Sequence, residues 1–340
     1  MLSFVSRRLG QAAIVLLGAA IVVFALLRII PGDPVDLIFA DEGGGSEEQR
    51  QSLRRRFGLD RPLPIQFLMF CLQLLRGDLG QSFVQQASVS EIVLRALPYT
   101  IELAVASLVI AIVIAIPLGA IAGLRHGGVL DRGSTTVALF GVSMPTFWQG
   151  IMLILLFAVA LPILPTSGAL DVSLTGTTLT GFPILDATLH GEWDVLRSAL
   201  RHIILPAITL GTTSAAGLMR LLRTSVIDVK NQEFVDALVA RGLSTLRVSI
   251  HIIRNALPVT VIVLGMRIGT LLGGAVVVEV VFGWPGIGGT MIRAIELRDF
   301  PVVQGTVLLA TLMVIVSNLA ADIAQGFLDP RVRQGERVDS

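Results

Sequence analysis

Charge is scarce in this sequence. Only 15% of its 340 residues are Asp, Glu, Lys or Arg, against roughly a quarter in an average soluble domain. The charges nearly cancel to a formal net of +1, so no global basic field points to nucleic acid. A single cysteine, Cys71, excludes an internal disulfide framework and a cysteine-based zinc site. Lysine is equally rare: Lys230 stands alone among the 26 basic residues. A phosphate-cradling loop of the form G-x4-G-K-[ST] needs a lysine after glycine. Lys230 follows Val229, so an ATPase of that kind is excluded. The four histidines, His126, His190, His202 and His251, are scattered, and no His-Glu-x-x-His or Gly-x-Ser-x-Gly occurs. Nothing assembles an enzyme's catalytic group, and no internal repeat of the kind that builds many secondary transporters is visible.

What the chain has in excess is apolar surface: 53% hydrophobic residues and a mean hydropathy of +0.79. A bilayer core of about 30 Å needs about 20 residues of helix. Five nearly uncharged runs approach or exceed that length: Leu9–Leu27, Leu103–Leu124, Gly133–Leu161, Ile203–Met219 and Pro301–Ala321. A sixth, Ala256–Val278, carries one charge, Arg267. In lipid every backbone polar group needs an internal partner, so these runs predict an all-α polytopic membrane protein with six transmembrane helices. The first run is long for a signal-peptide core, and Arg28–Asp33 is no small-residue cleavage site, so it reads as a retained span.

The short loops predict orientation. Arg7 and Arg8 precede the first run, Arg125 and Arg132 separate the second and third, and Arg331, Arg333 and Arg337 end the chain. The segment after the fourth run holds Arg220, Arg223, Lys230, Arg241, Arg247 and Arg254. With six spans all of these fall on one side. The opposite short loop, Pro162–Asp194, has four acids and no Lys or Arg. Both termini are therefore expected in the cytoplasm. The expected organisation is residues 1–30 as N-terminus and first span, 31–98 as an external helical segment, and 99–328 as the core. Residues 329–340 form a cytoplasmic tail. The external segment opens with a glycine-rich turn at Gly43–Gly45 and reads as helix through Glu47–Phe57.

The segment 223–258 carries the most information. Gln232–Arg241 reads as a short amphipathic helix with Phe234 and Leu238 on one face. Gly242 suits the left-handed position just past a helix end, and Ser244 suits the N-cap of a following helix that runs toward Asn255–Pro258. A helix of about ten residues is marginal alone in water, so it needs a partner surface; a merely solvated loop is the other reading. Pro145 inside the third run removes a backbone hydrogen bond and predicts a break or kink. Irregular backbone at membrane depth is tolerated where it lines a cavity, so Ser143–Gly150 borders a path or serves packing alone. Trp284-Pro285-Gly286 reads as an interfacial turn with an aromatic anchor or as an external gate. Glu102, Glu279 and Arg28 are expected near water at span ends, and Asp322 likewise at the end of the sixth run. Arg267 either attracts a substrate carboxylate or pairs with an acid on a partner.

Asp236-Ala237-Leu238 followed by Gly242 resembles the "EAA" motif, E-A-A-x3-G, of ABC importer permeases, with aspartate in first place. The flanking Ala-Arg241-Gly242-Leu243-Ser and Arg254-Asn-Ala-Leu-Pro258 are similar to the dipeptide/oligopeptide/nickel branch, although Pro258 comes one residue early. Four further stretches resemble that branch in order: Pro31-Gly-Asp-Pro34; Phe57-Gly-Leu-Asp-Arg-Pro62 with Gly77-Asp-Leu-Gly-Gln-Ser82; Gly141-Val-Ser143-Met-Pro145-Thr-Phe147-Trp-Gln-Gly150; and Glu279-Val-Val-Phe-Gly-Trp284-Pro285-Gly286-Ile-Gly288. The match spans nearly the whole chain.

The resemblance implies a type I, MetI-like permease fold of the B type with a small external helical insertion, in a bacterial inner membrane. It implies a homologous second permease, two ABC ATPase subunits holding ATP and Mg, and an external solute-binding protein delivering a peptide-like cargo. No cofactor or metal is expected on this chain. Phe234, Asp236, Ala237, Arg241, Gly242 and Leu243 would form the coupling helix that meets an ATPase. Ser143, Pro145, Phe147 and Arg267 would border the path; Glu279, Trp284, Pro285 and Gly286 would form an external gate. The cargo stays open among dipeptides, oligopeptides, glutathione-like molecules and nickel chelates. A gradient-driven secondary transporter or channel is the rival; it calls for intramembrane acids, of which the runs hold few.

Overall fold

The computed structural model describes residues 2–29, 48, 51 and 60–328. Pro31–Pro34, Gly43–Gly45, the helix expected over Glu47–Phe57, Phe57–Leu59 and the tail arginines lie outside the described residues. Among the described residues there are helices, turns and one isolated bridge between Gln81 and Ser88, but no named strand. The helices are α1 (Leu2–Ile29), α2 (Leu63–Leu75), α3 (Val89–Leu124), α4 (Val129–Ser143), α5 (Thr146–Ile154), α6 (Pro183–His190), α7 (Trp193–Lys230), α8 (Glu233–Ala240), α9 (Thr245–Val281), α10 (Ile287–Glu296) and α11 (Phe300–Leu328).

Among the described residues five helices are long and apolar enough to cross a membrane: parts of α1, α9 and α11, and the whole of α3 and α7. The third apolar run differs. It breaks at Met144-Pro145 into α4 and α5, and α5 runs on into a π-helical turn, Leu155–Ala160. Pro145 takes an extended conformation (φ −58°, ψ 135°) and caps α5. Pro98, Pro117, Pro206 and Pro258, by contrast, lie inside uninterrupted helices. Several helices outrun their apolar runs. α7 covers Trp193–Lys230, and α9 passes through Pro258 as one rod, so the helix expected to follow Ser244 and the fifth span are a single element. Hydropathy marks only the stretch suited to lipid; backbone hydrogen bonding carries the helix beyond it.

The described residues fall into two compact units. One draws on Met1–Val5, Leu97–Gly289 and Met313–Ser340, the other on Ser6–Ala96 and Thr290–Leu312. In the first, α7 is the axis: its most apolar window is 72% buried, against 17% for that of α1. It packs against α4, α5, α6 and α9. Leu205 and Leu210 of α7 join Leu103 of α3, Leu271 and Val278 of α9, Phe282 and Trp284 in one core. Small residues let α3 and α7 approach closely, as membrane helices do. A Cβ at Gly211 would sit 2.7 Å from the Ser107 carbonyl oxygen, and one at Gly123 2.6 Å from Val226.

In the second unit Val89, Val93, Ala294 and Val302 form a small core, and Phe24 of α1 meets Phe67 of α2 edge-on at 5.1 Å. The Gly77–Ser82 stretch is a tight turn in which the Gly80 N–H donates to Asp78 (2.9 Å). Buried Asp299, between α10 and α11, anchors the end of this turn: its carboxylate accepts from the Ser82 hydroxyl and from the Phe83 N–H at 3.2 Å.

Candidate coupling and translocation sites

α8 lies on the arginine-rich ends of α7 and α9. Val235 is buried, and Phe234, Leu238 and Leu243 pack onto Leu222, Val226 and Val229 of α7 and Val248, Ile252 and Ala256 of α9. Its C-terminus closes in a Schellman motif. Gly242 adopts φ +75°, its N–H donates to the Val239 carbonyl (2.9 Å), and the Leu243 N–H reaches the Leu238 carbonyl (3.3 Å). Only a residue at ease with positive φ turns the chain this tightly into α9. Ser244 is the N-cap residue of α9 by position, but its hydroxyl makes no cap bond. Asp236, Ala237, Arg241 and Gly242 are exposed. A short helix is thus fixed by its apolar face to two long ones, and its polar face is open.

A second cluster at this end is one that sequence reasoning did not single out. Arg223 of α7 grips Asp131 of α4 with two bonds, Nε to Oδ1 at 2.5 Å and Nη2 to Oδ2 at 2.9 Å. The Gly127 N–H donates to Oδ2 (2.9 Å), and His126 Nδ1 lies 3.1 Å from the same oxygen. The Arg223 hydrogen bond holds the buried Asp131 carboxyl well below the usual carboxylate range; it outweighs desolvation, which acts the other way. Lys230 Nζ caps the end of α3 through the Leu124 carbonyl at 3.0 Å. In the sequence Arg125, Arg132 and Arg223 speak only to topology. The signal for the cluster is Asp131, the one acid between Arg125 and Arg132.

The α4–α5 break leaves Ser143, Pro145 and Phe147 exposed or part-exposed at the surface of this unit. Just beyond it, Gly150 is buried where α5 meets α9: a Cβ there would lie 3.1 Å from Phe282 and 3.2 Å from Val281. Gln149 donates to the Thr212 hydroxyl of α7 at 2.7 Å, joining the segment after the break to the axial helix. Arg267 of α9 is half-buried, with its guanidinium against Gly217 of α7.

The turn after α9 corrects two expectations. Trp284 is not an interfacial anchor: it is 1% exposed, its indole N–H donates to the Tyr99 carbonyl (2.9 Å), and its ring meets Tyr99 edge-on. Glu279 does not reach water. It is fully buried, accepts from the Thr100 hydroxyl (2.6 Å) and the Gly289 N–H (3.0 Å), and lies so close to Gly286 that a Cβ there would collide with the carboxylate. The Ile287 N–H donates to the same Thr100 hydroxyl at 2.8 Å. Glu102 is also more enclosed than expected: one oxygen accepts from the Ile184 N–H at 2.8 Å, and the other is buried with no hydrogen-bond partner among the described residues. The Trp284–Gly286 turn is therefore built on α3 and α9, at the opposite end of α9 from α8. At 1.5 Å per residue the 37 residues of α9 set the two sites about 55 Å apart along the helix.

The loop before α7 folds on its own acids. Asp186 of α6 accepts from the N–H groups of Leu179, Thr180 and Gly181 and from the Thr180 hydroxyl (2.6 Å). Burial alone would push its carboxyl up, but these donors together hold it below its ordinary value. Asp171 is tied to α7 through the Ser198 hydroxyl at 2.8 Å.

Long apolar helices, one apolar run broken at proline, and a short amphipathic helix pinned across the ends of two long ones are the make-up of an integral membrane protein. Residues 115–334 match the family described as binding-protein-dependent transport system inner membrane component, and residues 1–104 match the N-terminal part of the same kind of membrane component. The chain belongs to this family, as a transport subunit and not an enzyme. It is 41% identical over 334 residues to the di/tripeptide transport system permease protein DppB of Pseudomonas aeruginosa (strain UCBPP-PA14), covering 98% of this chain and 99% of that one. It is 39% identical over 337 residues to the dipeptide transport system permease protein DppB of Escherichia coli (strain K12), with the same coverage. It is 35% identical over 335 residues to the probable D,D-dipeptide transport system permease protein DdpB of the same organism, covering 98% of each chain.

Proposed function

We propose that this chain is the permease subunit of an ATP-driven importer of dipeptides and related short peptides. The observation that carries the reading is end-to-end similarity, at 41% identity, to a di/tripeptide permease. The gradient-driven alternative has no support among these relatives, whose names specify dipeptides, di/tripeptides and peptides. The chain sits in a bacterial inner membrane with both termini in the cytoplasm, the orientation that the arginine distribution favours. It forms the path with a homologous second permease. Two ATPase subunits, which hold ATP and Mg, meet it at α8, and an external binding protein delivers cargo at the Trp284 side.

The packing of α8 supports this division of labour. Contact alone does not couple two proteins; the contact must differ between their states. A push on the open face of α8, at Asp236, Ala237 and Arg241, passes through Val235, Phe234 and Leu238 into both α7 and α9. α9 then carries it to the Trp284 turn, where Glu279 and Thr100 join it to α3. Ser143, Pro145 and Phe147 give the path its irregular backbone, and Glu279, Trp284, Pro285 and Gly286 form the outer gate.

The test is purification of the solubilised chain from native membranes, followed by reconstitution. A second six-span protein and P-loop ATPases should co-purify, and liposomes holding the complex should take up dipeptide only with ATP and a loaded binding protein. Uptake by the chain alone without ATP would overturn the proposal.

A further inference from the structure

Between Leu205 and Met219, α7 is buried at every position except Ile208, Thr212, Thr213 and Gly217. Over this stretch the most enclosed span is thus part-exposed only at one isoleucine, two threonines and a glycine. Thr213, Gly217, Arg220 and Thr224 follow at spacings of four, three and four, which places them on one helix face. Polar groups within a span face protein or a wet cavity and not lipid.

Arg267 lies on this face. Its Nη2 would be 3.2 Å from a Cβ at Gly217, so the absent side chain leaves room for the guanidinium. The contact is part of regular antiparallel packing, because Gly274, seven residues on in α9, meets Leu210, seven residues back in α7. Arg223 shows how this protein neutralises an arginine, with a bidentate carboxylate from Asp131. Arg267 has no counterpart: among the described residues its guanidinium makes no hydrogen bond and no ion pair. Exposed Arg220 adds a second cation on the same face.

We propose that Arg267 is a fixed cation of the translocation path that receives the carboxylate of the passing solute. The inference rests on the permease reading and adds the chemistry of one station in it. A guanidinium presents a planar fork of donors matched to a carboxylate. Half-buried and backed by glycine, it attracts an anion while staying hydrated enough to release it toward Arg220 and the cytoplasm.

The experiment uses the complete transporter in proteoliposomes, in a Cys71→Ser background, with Thr213→Cys as a reporter. The reporter is treated with methanethiosulfonates of either sign, one bearing a sulfonate and the other a trimethylammonium group. The anionic reagent should react faster. Arg267→Gln should lower the anion-to-cation rate ratio about tenfold, as expected for removing one unit charge within several ångströms, and Arg267→Lys should preserve it. Saturating dipeptide should slow the anionic reaction. A reporter that reacts with neither reagent, while ATP-driven uptake persists, would overturn the proposal by showing that the face is covered. A ratio unchanged by Arg267→Gln would overturn it by showing that an acid of the second permease already neutralises the charge. Absence of ATP-driven uptake by the parent complex would instead remove the permease reading itself.

Discussion

The Thr100 hydroxyl stands 2.6 Å from the Glu279 carboxylate and accepts the Ile287 N–H at 2.8 Å, so one side chain of α3 ties the end of α9 to the start of α10. Glu279 is fully buried, and polar donors, the Gly289 N–H among them, hold its carboxylate. Removing such a group leaves its donors stranded, and a stranded buried donor costs more than a hydrogen bond gains. Glu279→Ala should therefore destabilise the protein by at least about 2 kcal/mol. Glu279→Gln, which keeps the shape and one acceptor, should cost less. Thermal unfolding in detergent, followed by loss of the monodisperse complex, measures both. Equal melting of Glu279→Ala and the parent would contradict the buried network.

The Asp131–Arg223 pair predicts a pH dependence. Folding holds the Asp131 carboxyl below its ordinary value through the Arg223 hydrogen bonds. Its contribution to stability is thus complete above the unfolded value near 4 and is lost as pH falls toward the lower folded value. Asp131→Asn should cost about 2 kcal/mol at neutral pH, discounted for the partial exposure of Arg223. The gap between parent and variant should shrink below about pH 4. Melting curves from pH 3 to 7 decide the matter, and a pH-independent gap would sink the assignment. Pairing Asp131→Asn with Arg223→Gln should recover part of the loss, since no charge is then left unpaired.

What the sequence made legible was local. The proline break, the left-handed Gly242 and the apolar face of α8 each depend on neighbours within a few residues, which periodicity and turn chemistry report directly. Glu279 and Trp284 defeat a sequence reading for the opposite reason. Their burial depends on Thr100 and Tyr99, 179 and 185 residues away, and an acid or a tryptophan at the end of an apolar run looks the same whether it meets water or a neighbouring helix. Asp131 is hidden in the same way, because an isolated acid among arginines resembles ordinary loop charge until Arg223, 92 residues on, is seen to close on it. The ends of α7 and α9 escape for a related cause: hydropathy reports the solvent a helix prefers, not where its hydrogen bonds stop.

Two glycines on either side of the α4–α5 break should respond in opposite ways. Gly150 is buried, and a Cβ there already presses on Phe282 at 3.1 Å and Val281 at 3.2 Å, whereas Gly141 has nothing within 4 Å of that position. Gly150→Val should cost about 1–3 kcal/mol by overpacking. Gly141→Ala should be neutral or stabilise α4 by up to about 1 kcal/mol, because alanine is the better helix former. Parallel melts of the two variants test this, and a Gly150→Val protein as stable as the parent would show that α5 does not seat against α9 as described.

The coupling role proposed for α8 makes the sharpest functional prediction. Asp236 is exposed and, among the described residues, bonds to nothing that holds the fold, so Asp236→Arg should leave insertion and melting unchanged. If α8 meets an ATPase, the reversed charge should abolish the rise in ATP hydrolysis that a peptide-loaded binding protein produces, along with uptake. Gly242 tests the same site through the backbone. At φ +75° an alanine is strained by about 1 kcal/mol, enough to loosen the Schellman turn without unfolding α9. Proline cannot adopt that angle at all, and it would also remove the N–H that the Val239 carbonyl accepts. Gly242→Ala should therefore weaken stimulated hydrolysis partially and Gly242→Pro completely, with the unstimulated rate of the ATPases preserved. Normal stimulated hydrolysis and uptake in both Asp236→Arg and Gly242→Pro would move the ATPase contact away from α8. Stimulated hydrolysis without uptake would place the defect after docking, in the transmission from α8 into α7 and α9.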